Sequence, residues 1–300
     1  MNNIHIGCGQ ITWFALARQA NQELDADQVL AEIAQAGYEG APAGARPGQS
    51  TEEILAQYAR HGLKPAPGYL GVDFWDKSQE EAILERAHAQ ADFGQAAGLT
   101  ELYVAAGGFT SYITKRGLTR MGVSGNVRAE DMMTDEEFAQ FAKVLNQVGE
   151  ITLAKGVKSC FHNHVGSTIE TREEIDRLFS MVDRDVVFMG PDTGHLAWAG
   201  ADVLQFCRDY ADSIKTMHIK DVNKAVMDQG IAAEWDYRTF SDKGIWTELG
   251  QGFLDFPAIF QVLDDAGFEG WIIVETDVTQ LATPLESAIV SRDYLRKVLG

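Results

Sequence analysis

The sequence predicts an α/β protein of the (β/α)8 barrel class, and three observations indicate this fold. A helical segment that ends in glycine and is followed within a few residues by an apolar strand recurs along the chain. The strands are continuous apolar runs, which are typical of parallel strands covered on both faces. Eight strand–helix units fit within 300 residues, an ordinary size for such a barrel. A doubly wound open sheet is the alternative, because alternation of strands and helices does not prove that the sheet closes.

The eight units follow one another without a visible linker, so a single domain over residues 1–300 is expected. The strands are predicted near 4–13, 38–42, 63–69, 100–107, 157–164, 186–192, 214–220 and 270–276. The helices are predicted near 26–36, 51–61, 79–97, 135–155, 172–182, 202–211, 256–266 and 284–298. Glycines that can adopt the left-handed conformation follow helices at Gly37, Gly62, Gly98, Gly156 and Gly267. The spacing of a capping box marks helix starts at Ser50, Ser78, Thr134 and Thr171.

Composition and charge narrow the class of protein. The 25 Lys and Arg against 44 Asp and Glu give a net charge of −19, which disfavours a nucleic-acid partner because that affinity comes largely from neutralising phosphates. No apolar run approaches the roughly 18 residues of a membrane helix, and the first residues lack the pattern of a signal peptide. Three widely spaced cysteines fit neither a disulfide framework nor a zinc ribbon. We therefore expect a cytoplasmic protein without a nucleic-acid or membrane partner.

Two predicted connections are unusually long, residues 108–133 and 222–253. Both follow the carboxyl end of a strand, which is the face where active sites of barrels lie. Connections of this length in a compact domain are usually functional or disordered. Their content of glycine, arginine and tryptophan favours lids over the site, and contacts within a homo-oligomer are the alternative.

Four predicted strands end in residues of the metal-ligand type. His162 and His164 close the fifth strand, where positions i and i+2 point to the same face. Asp192, His218 and Glu275 lie in or directly after the next three strands. Each has an ordinary explanation on its own, such as a turn, a helix start or a buried hydrogen bond. If each explanation held separately, four buried polar groups would lie at the carboxyl ends of strands by coincidence. One shared site is the better interpretation.

A set of two imidazoles and two carboxylates predicts the kind of ion. It suits Mn²⁺, Co²⁺, Zn²⁺ or Fe²⁺, and its lack of thiolates argues against a closed structural zinc site. Mg²⁺ would prefer more oxygen ligands. Open coordination positions would let such an ion bind a ketone and the adjacent hydroxyl, which favours removal of an α-proton. The G-x-S-x-G, P-loop and helix-opening G-x-G-x-x-G motifs are absent from the sequence.

Four segments of the sequence carry a family resemblance. They are His162-Asn163-His164-Val165-Gly166, Asp192-Thr193-Gly194-His195, His218-Ile219-Lys220-Asp221 and Trp271-Ile272-Ile273-Val274-Glu275. On these segments the chain resembles the xylose-isomerase-like (sugar phosphate isomerase/epimerase) TIM barrel family. The second and third segments are common to the family. The first, with its continuation to Thr171, is similar to the inosose dehydratase branch of myo-inositol catabolism.

The resemblance implies a divalent metal at the carboxyl ends of strands five to eight, with Mn²⁺ or Co²⁺ expected and Zn²⁺, Fe²⁺ or Mg²⁺ as alternatives. The implied ligands are His162, Asp192, His218 and Glu275. Related dehydratases have proton-transfer histidines at the positions of His164 and His195, and a substrate-binding lysine at that of Lys220. Many family members have a glutamate where this chain has His162, so the paired-glutamate mechanism of the epimerases does not fit.

The resemblance favours a lyase that eliminates water from a cyclic polyhydroxy ketone such as 2-keto-myo-inositol. One of His164 and His195 would take the proton next to the ketone and the other would protonate the departing hydroxyl, in an order that the sequence leaves open. A metal-dependent isomerase or epimerase acting on a ketose or aldose is the first alternative. A non-catalytic sugar-binding protein on the same scaffold is the second alternative. Such a protein would usually have lost metal ligands, whereas this sequence departs from the family's ligand set only by having His162 in place of a glutamate.

Overall fold

The computed structural model describes residues 3–299 of the chain. Its strands are β1 (Ile4–Cys8), β2 (Gly40–Pro42), β3 (Lys64–Ala66), β4 (Tyr69–Val72), β5 (Glu101–Ala106), β6 (Lys158–His162), β7 (Val187–Met189), β8 (Met217–Ile219), β9 (Asp221–Val222), β10 (Trp246–Thr247) and β11 (Gly270–Val274). Its α-helices are α1 (Ile11–Gln19), α2 (Ala26–Ala36), α3 (Thr51–Arg60), α4 (Glu80–Ala97), α5 (Asp135–Leu153), α6 (Arg172–Phe179), α7 (Thr193–Trp198), α8 (Val203–Tyr210), α9 (Lys224–Ala232), α10 (Tyr237–Asp242), α11 (Phe256–Asp265) and α12 (Pro284–Leu299).

Parallel strands form a ring with eight positions. One sheet has the order β3-β2-β1-β11-β8 and the other the order β4-β5-β6-β7, and β3 and β4 are successive parts of the third barrel strand. On the opposite side of the ring, single parallel bridges join Met189 to Ile214 and Asp192 to His218. The short strands β9 and β10 form a separate antiparallel pair. This arrangement is the predicted α/β barrel.

The interior of the barrel is filled by a small group of buried side chains. These are Ala66, Tyr103, Trp271 and Ile273. The Tyr103 hydroxyl shares a hydrogen bond of 2.6 Å with the hydroxyl of Thr216. The Tyr103 ring also contacts the His218 ring, with centroids 4.1 Å apart. This cluster of buried side chains therefore packs beneath the polar residues at the carboxyl ends of the strands.

Three of the four predicted capping boxes are present. At the starts of α3, α5 and α6, the hydroxyls of Ser50, Thr134 and Thr171 accept an amide N–H while the glutamate three residues later bonds back. The prediction at Ser78 is wrong, because Asp76 begins a 3-10 turn there and α4 starts after it without a side-chain cap. The glycines predicted to end helices all have positive φ angles.

The first strand is shorter than predicted. It ends at Cys8, and the residues from Ile11 to Gln19 form α1 instead. A short apolar run does not distinguish a strand from a buried helix by periodicity alone. In the structure, the Thr12 hydroxyl donates a hydrogen bond to the Thr276 carbonyl, so the start of α1 packs against the segment that follows β11.

Both long connections contain secondary structure that the sequence did not predict. Residues 108–133 include two 3-10 helices, and residues 222–253 include α9, α10 and β10, which pairs with β9 at the start of the connection. The fully buried guanidinium of Arg120 fixes the first connection to the body of the protein. It donates to the Ser167 carbonyl at 2.7 Å and pairs with the Glu174 carboxylate at 3.0 Å. The role of these connections as lids stays a prediction.

No helix in the described part of the chain has the length and apolar character needed to cross a membrane. The single-domain organisation of residues 1–300 stays a prediction. Met1, Asn2 and Gly300 lie outside the described residues.

Candidate active site

Three of the predicted metal ligands converge at the carboxyl end of the barrel. His162 ends β6, Asp192 follows β7 and His218 lies in β8. One ligand atom of each lies within 4.8 Å of the others. All three side chains are buried, with residue exposures of 2%, 0% and 3%. The ring puts these strand ends beside one another because β6, β7 and β8 are neighbours.

The two carboxylate oxygens of Asp192 have different surroundings. It is the N-cap of α7, and its Oδ1 accepts the His195 N–H at 2.9 Å. Its backbone is held by Asn163, whose side chain accepts the Asp192 N–H at 3.0 Å and donates to the Asp192 carbonyl at 3.3 Å. Oδ2 makes no hydrogen bond to any described residue. One carboxylate therefore starts the helix with one oxygen and presents the other to the site.

The donor atoms of this group fit a divalent cation. The buried Nδ1 of His162 and Nε2 of His218 make no hydrogen bond within residues 3–299, a costly state for polar atoms unless something else satisfies them. Burial holds the pKa of His162 below its usual range, with further lowering by His218, so the ring offers a lone pair. Burial raises the pKa of Asp192, and a nearby cation would favour its charged form. Two nitrogens and an oxygen suit the borderline divalent metals.

Glu275, the fourth predicted ligand, lies beside this group rather than inside it. Its Oε2 is 3.3 Å from His218 Nδ1 and 3.2 Å from Lys220 Nζ. Burial would raise the pKa of Glu275, but His218 and Lys220 outweigh that effect and hold it below its usual range. A Cβ atom at Gly9 would lie 2.2 Å from Glu275 Oε1. A glycine at position 9 is therefore required for this carboxylate to fit.

Lys220 is a buried ammonium surrounded by carboxylates. Its Nζ lies 3.3 Å from Asp192 Oδ2, 3.2 Å from Glu275 Oε2 and 2.5 Å from Asp277 Oδ1. Burial alone would lower the pKa of Lys220, but the three carboxylates outweigh it and raise that pKa well above the usual value. The side chain also lies over the Trp246 ring at 4.9 Å. Lys220 therefore carries a fixed positive charge at the base of the site.

His164 and His195 form a second histidine pair beside the ligand group. Their ring centroids are 3.7 Å apart. The Nδ1 atom of His164 lies 2.7 Å from the Val165 carbonyl, and the Val165 N–H donates to Nδ1 of His195 at 3.3 Å. Burial, with a smaller effect of Lys220, lowers the pKa of His164 to about 4. Burial and the neighbouring His164 also lower the pKa of His195, so both rings are neutral near pH 7.

Two residues of this site were missing from the sequence prediction. Asp277 lies 3.9 Å from His195 Nε2 in addition to its contact with Lys220, and Tyr237 donates to Asp277 at 3.4 Å. Asp277 follows Glu275 by two residues, the same i, i+2 relation that identified His162 and His164, so that signal was available. Tyr237 had no such signal, because it comes from the long connection 222–253.

The second group also has the spacing of a metal site, since ligand atoms of His164, His195 and Asp277 lie within 4.8 Å of one another. However, the Lys220 ammonium contacts both Asp277 and His195, at 2.5 and 3.3 Å. A positive charge is thus already present there. The arrangement favours proton handling over a second ion.

A cavity of about 720 Å³ opens over members of both groups, while Asp192 and His195 are fully buried and do not line it. Its inner wall includes His162, His164, His218, Lys220, Glu275 and Asp277. The two long connections contribute Phe109 and Tyr237, whose rings lie 5.0 and 6.0 Å from the ring of His164. A cavity of this size accommodates a small organic ligand.

The chain belongs to the xylose isomerase-like TIM barrel family, whose model matches residues 30–298, and the predicted fold is confirmed. The inosose dehydratase of Clostridium perfringens (strain 13 / Type A) is 28% identical, over 99% of this chain and 98% of that protein. An L-ribulose 3-epimerase structure superimposes with a TM-score of 0.69 at 17% identity, over 99% of this chain and 94% of that one. The IolI protein, whose structure contains a zinc atom, has a TM-score of 0.68 at 17% identity, over 98% of each chain. Relatives of this chain are thus enzymes that act on sugars or polyols.

Proposed function

We propose that this protein is a metal-dependent dehydratase that eliminates water from a cyclic polyhydroxy ketone such as 2-keto-myo-inositol. The observation that carries the proposal is the pair of adjacent groups in one cavity. One group has imidazole nitrogens of His162 and His218 without a hydrogen bond in the described part of the chain, beside the Asp192 carboxylate. The other has two neutral imidazoles beside a charged Lys220. Full-length similarity to inosose dehydratases supports the same reaction.

His162, Asp192 and His218 would hold the metal, with Glu275 adjacent to complete the set. A divalent ion bound there supplies Lewis acidity that polarises a substrate carbonyl and acidifies the neighbouring C–H. Lys220, the residue directly after β8, reaches the same region, and its ammonium can donate to an oxygen on which negative charge develops. The surrounding carboxylates keep this lysine charged, so it serves as a hydrogen-bond donor and not as a base.

The backbone carbonyl and N–H of Val165 favour different tautomers in the two histidines. Its carbonyl accepts from Nδ1–H of His164, which leaves the lone pair of that ring on Nε2. Its N–H donates to Nδ1 of His195, which leaves the proton of that ring on Nε2. The Lys220 ammonium lies 3.3 Å from this Nε2, close enough to return a proton to the ring after the ring has donated one. His164 is therefore prepared to accept a proton and His195 to donate one.

These residues can account for every proton and electron pair that moves in the elimination. Nε2 of His164 takes the proton from the carbon next to the ketone, and the electron pair of that bond forms the new carbon–carbon double bond. The bond to the hydroxyl on the following carbon breaks, and Nε2–H of His195 protonates the departing oxygen to give water while the Lys220 ammonium, 3.3 Å from that nitrogen, gives a proton back to the ring. His164 then ends as an imidazolium, Lys220 as a neutral amine and His195 as the neutral imidazole that it was at the start. A base that is neutral at the start suits a reaction near pH 7.

Incubation of the purified protein with Mn²⁺ or Co²⁺ and 2-keto-myo-inositol tests the proposal. Dehydration produces a conjugated diketone that absorbs in the ultraviolet, and this absorbance should rise with time and enzyme concentration. No absorbance change together with interconversion of a ketose such as L-ribulose would instead identify an epimerase. If neither substrate reacts and the protein binds less than about one metal ion per chain, a non-catalytic role would replace both.

A further inference from the structure

The cavity continues outward beyond the two histidine groups. Its outer part is formed by Phe14, Ala15 and Arg18 on α1 and by the segment from Ala43 to Arg46 that follows β2. The whole cavity of about 720 Å³ lies in the upper part of the range that holds drug-sized ligands. A single six-membered ring at the inner wall would therefore leave the outer part free for another group.

The segment that carries Arg46 is fixed in place. The Gln90 side chain accepts the Ala45 N–H at 3.1 Å and donates to the Ala45 carbonyl at 3.3 Å. A Cβ atom at Gly68 would lie 2.3 Å from the Ala43 carbonyl oxygen, so the two backbones are packed directly against each other. The Arg46 guanidinium itself lies beside the hydroxyl of Tyr58. The position of this arginine is thus set by the surrounding structure.

The charge of the outer part is opposite to that of the protein. The chain carries a net charge of −19, yet the acidic residues among the described cavity-lining positions are Glu275 and Asp277, both beside Lys220 at the inner wall. Arg18 and Arg46 form no ion pair with any residue between 3 and 299. Two arginines without carboxylate partners in so acidic a protein indicate a region that attracts anions.

We propose that Arg18 and Arg46 form a subsite for an anionic substituent of the substrate, a carboxylate or a phosphate monoester, while the ring ketone lies against His164 and Lys220. The guanidinium group pairs with either anion through two parallel N–H bonds. This deepens the proposed function and rests on it for the identity of the ring. The substrate class then extends from uncharged cyclic polyhydroxy ketones to those that carry a negative charge at one end.

Binding measurements test the subsite separately from catalysis. Isothermal titration of the purified full-length protein at low salt would compare uncharged myo-inositol with quinate, a carboxylated cyclic polyol, and with a myo-inositol monophosphate. At least one anionic ligand should bind more tightly than myo-inositol. The double variant Arg18→Gln/Arg46→Gln should lower that affinity about fivefold to tenfold, as expected for partly exposed ion pairs. Arg208→Gln, which changes an exposed arginine on α8, should leave it unchanged.

Each outcome decides the question. Preference for quinate identifies a carboxylate, preference for the monophosphate identifies a phosphate, and both support the subsite. If the double variant still binds the anion with unchanged affinity, the anion binds at the inner wall and the proposal is wrong. Equal affinities for all three ligands, or no measurable anion binding, would also overturn it. Failure to dehydrate 2-keto-myo-inositol would count against the proposed function, but it would leave the comparison of affinities intact.

Discussion

His164 and His195 lie nearly face to face, with ring centroids 3.7 Å apart and planes inclined by 35°. They contact the two backbone polar groups of one residue, since Val165 accepts from one ring through its carbonyl and donates to the other through its N–H. The two rings are therefore close in space but chemically unequal. This inequality turns a symmetric pair into a base and an acid, and it can be tested directly.

The two histidines should separate the steps of the reaction. In His195→Gln, the base is retained, so the α-proton of 2-keto-myo-inositol should still exchange with deuterium from solvent while elimination falls by about 10²–10⁴-fold. In His164→Gln, both exchange and elimination should fall by a similar factor. Proton NMR in D₂O measures exchange and ultraviolet absorbance measures elimination. Exchange that survives in His164→Gln and is lost in His195→Gln would reverse the assignment.

Asp192→Asn should weaken metal binding, because the variant replaces the anionic Oδ2 that faces His162 and His218. Metal analysis after loading should fall well below one ion per chain. Metal should also stabilise the wild type by about 2–3 kcal/mol at roughly 100-fold excess over its dissociation constant, and this gain should disappear in the variant. Asp202→Asn is a matched control, because Asp202 caps α8 through the Gln205 N–H and lies outside the site. Equal metal content in both variants would contradict the assignment.

Arg120→Met should destabilise the protein by about 3–5 kcal/mol, because it leaves the fully buried carboxylate of Glu174 without its cation. The free energy of unfolding in urea measures this change. Arg238→Met provides the comparison, since its pair with Asp242 is exposed and exposed pairs contribute less than about 1 kcal/mol. A loss of similar size in both variants would show that Arg120 does not anchor the connection of residues 108–133.

The buried carboxyl group of Glu170 should make the stability of the protein depend on pH. Burial raises its pKa from 4.5 to about 7, although Arg120 and the N–H groups of Gly166 and Gly125 oppose the change. Between these pH values the folded chain keeps a proton on Glu170 that the unfolded chain has released, so the contribution of Glu170 to the free energy of unfolding should fall as pH rises through this window. The buried His162, His164 and His195 contribute with the opposite sign, so the effect of Glu170 is the difference between the wild type and Glu170→Gln. The decrease should be about 1–3 kcal/mol and should be absent in Glu170→Gln. Unfolding in urea at about pH 5 and about pH 7.5 measures it, and an unchanged slope in the variant would contradict it.

The sequence predicted the barrel because its helix ends and its buried strands have strong local signals. The same signals identified His162, Asp192 and His218, since parallel strands bring their carboxyl ends to one face and few buried polar residues occur there. Their proposed roles stay predictions. What periodicity could not distinguish was the apolar run from Ile11, which forms a helix because of its packing against the segment after β11.

Other parts of the site depend on contacts between distant segments. Tyr237 reaches His164 from a connection whose helices have weak local patterns. A shift of about an ångström decides whether Glu275 joins the ligand group or pairs with Lys220. The spacing of residues in the sequence cannot predict so small a difference. The order of base and acid likewise depends on the hydrogen bonds of Val165, which no side-chain motif reveals.

The control of the two tautomers by a backbone group has an evolutionary consequence. Nearly every amino acid has the same backbone carbonyl and N–H, so an apolar residue of similar size in place of Val165 would preserve the division of labour between His164 and His195. Proline is the exception, because it lacks the N–H that holds His195. The Val165 side chain is fully buried in the core, so packing constrains the side chain at this position while the backbone sets the two tautomers.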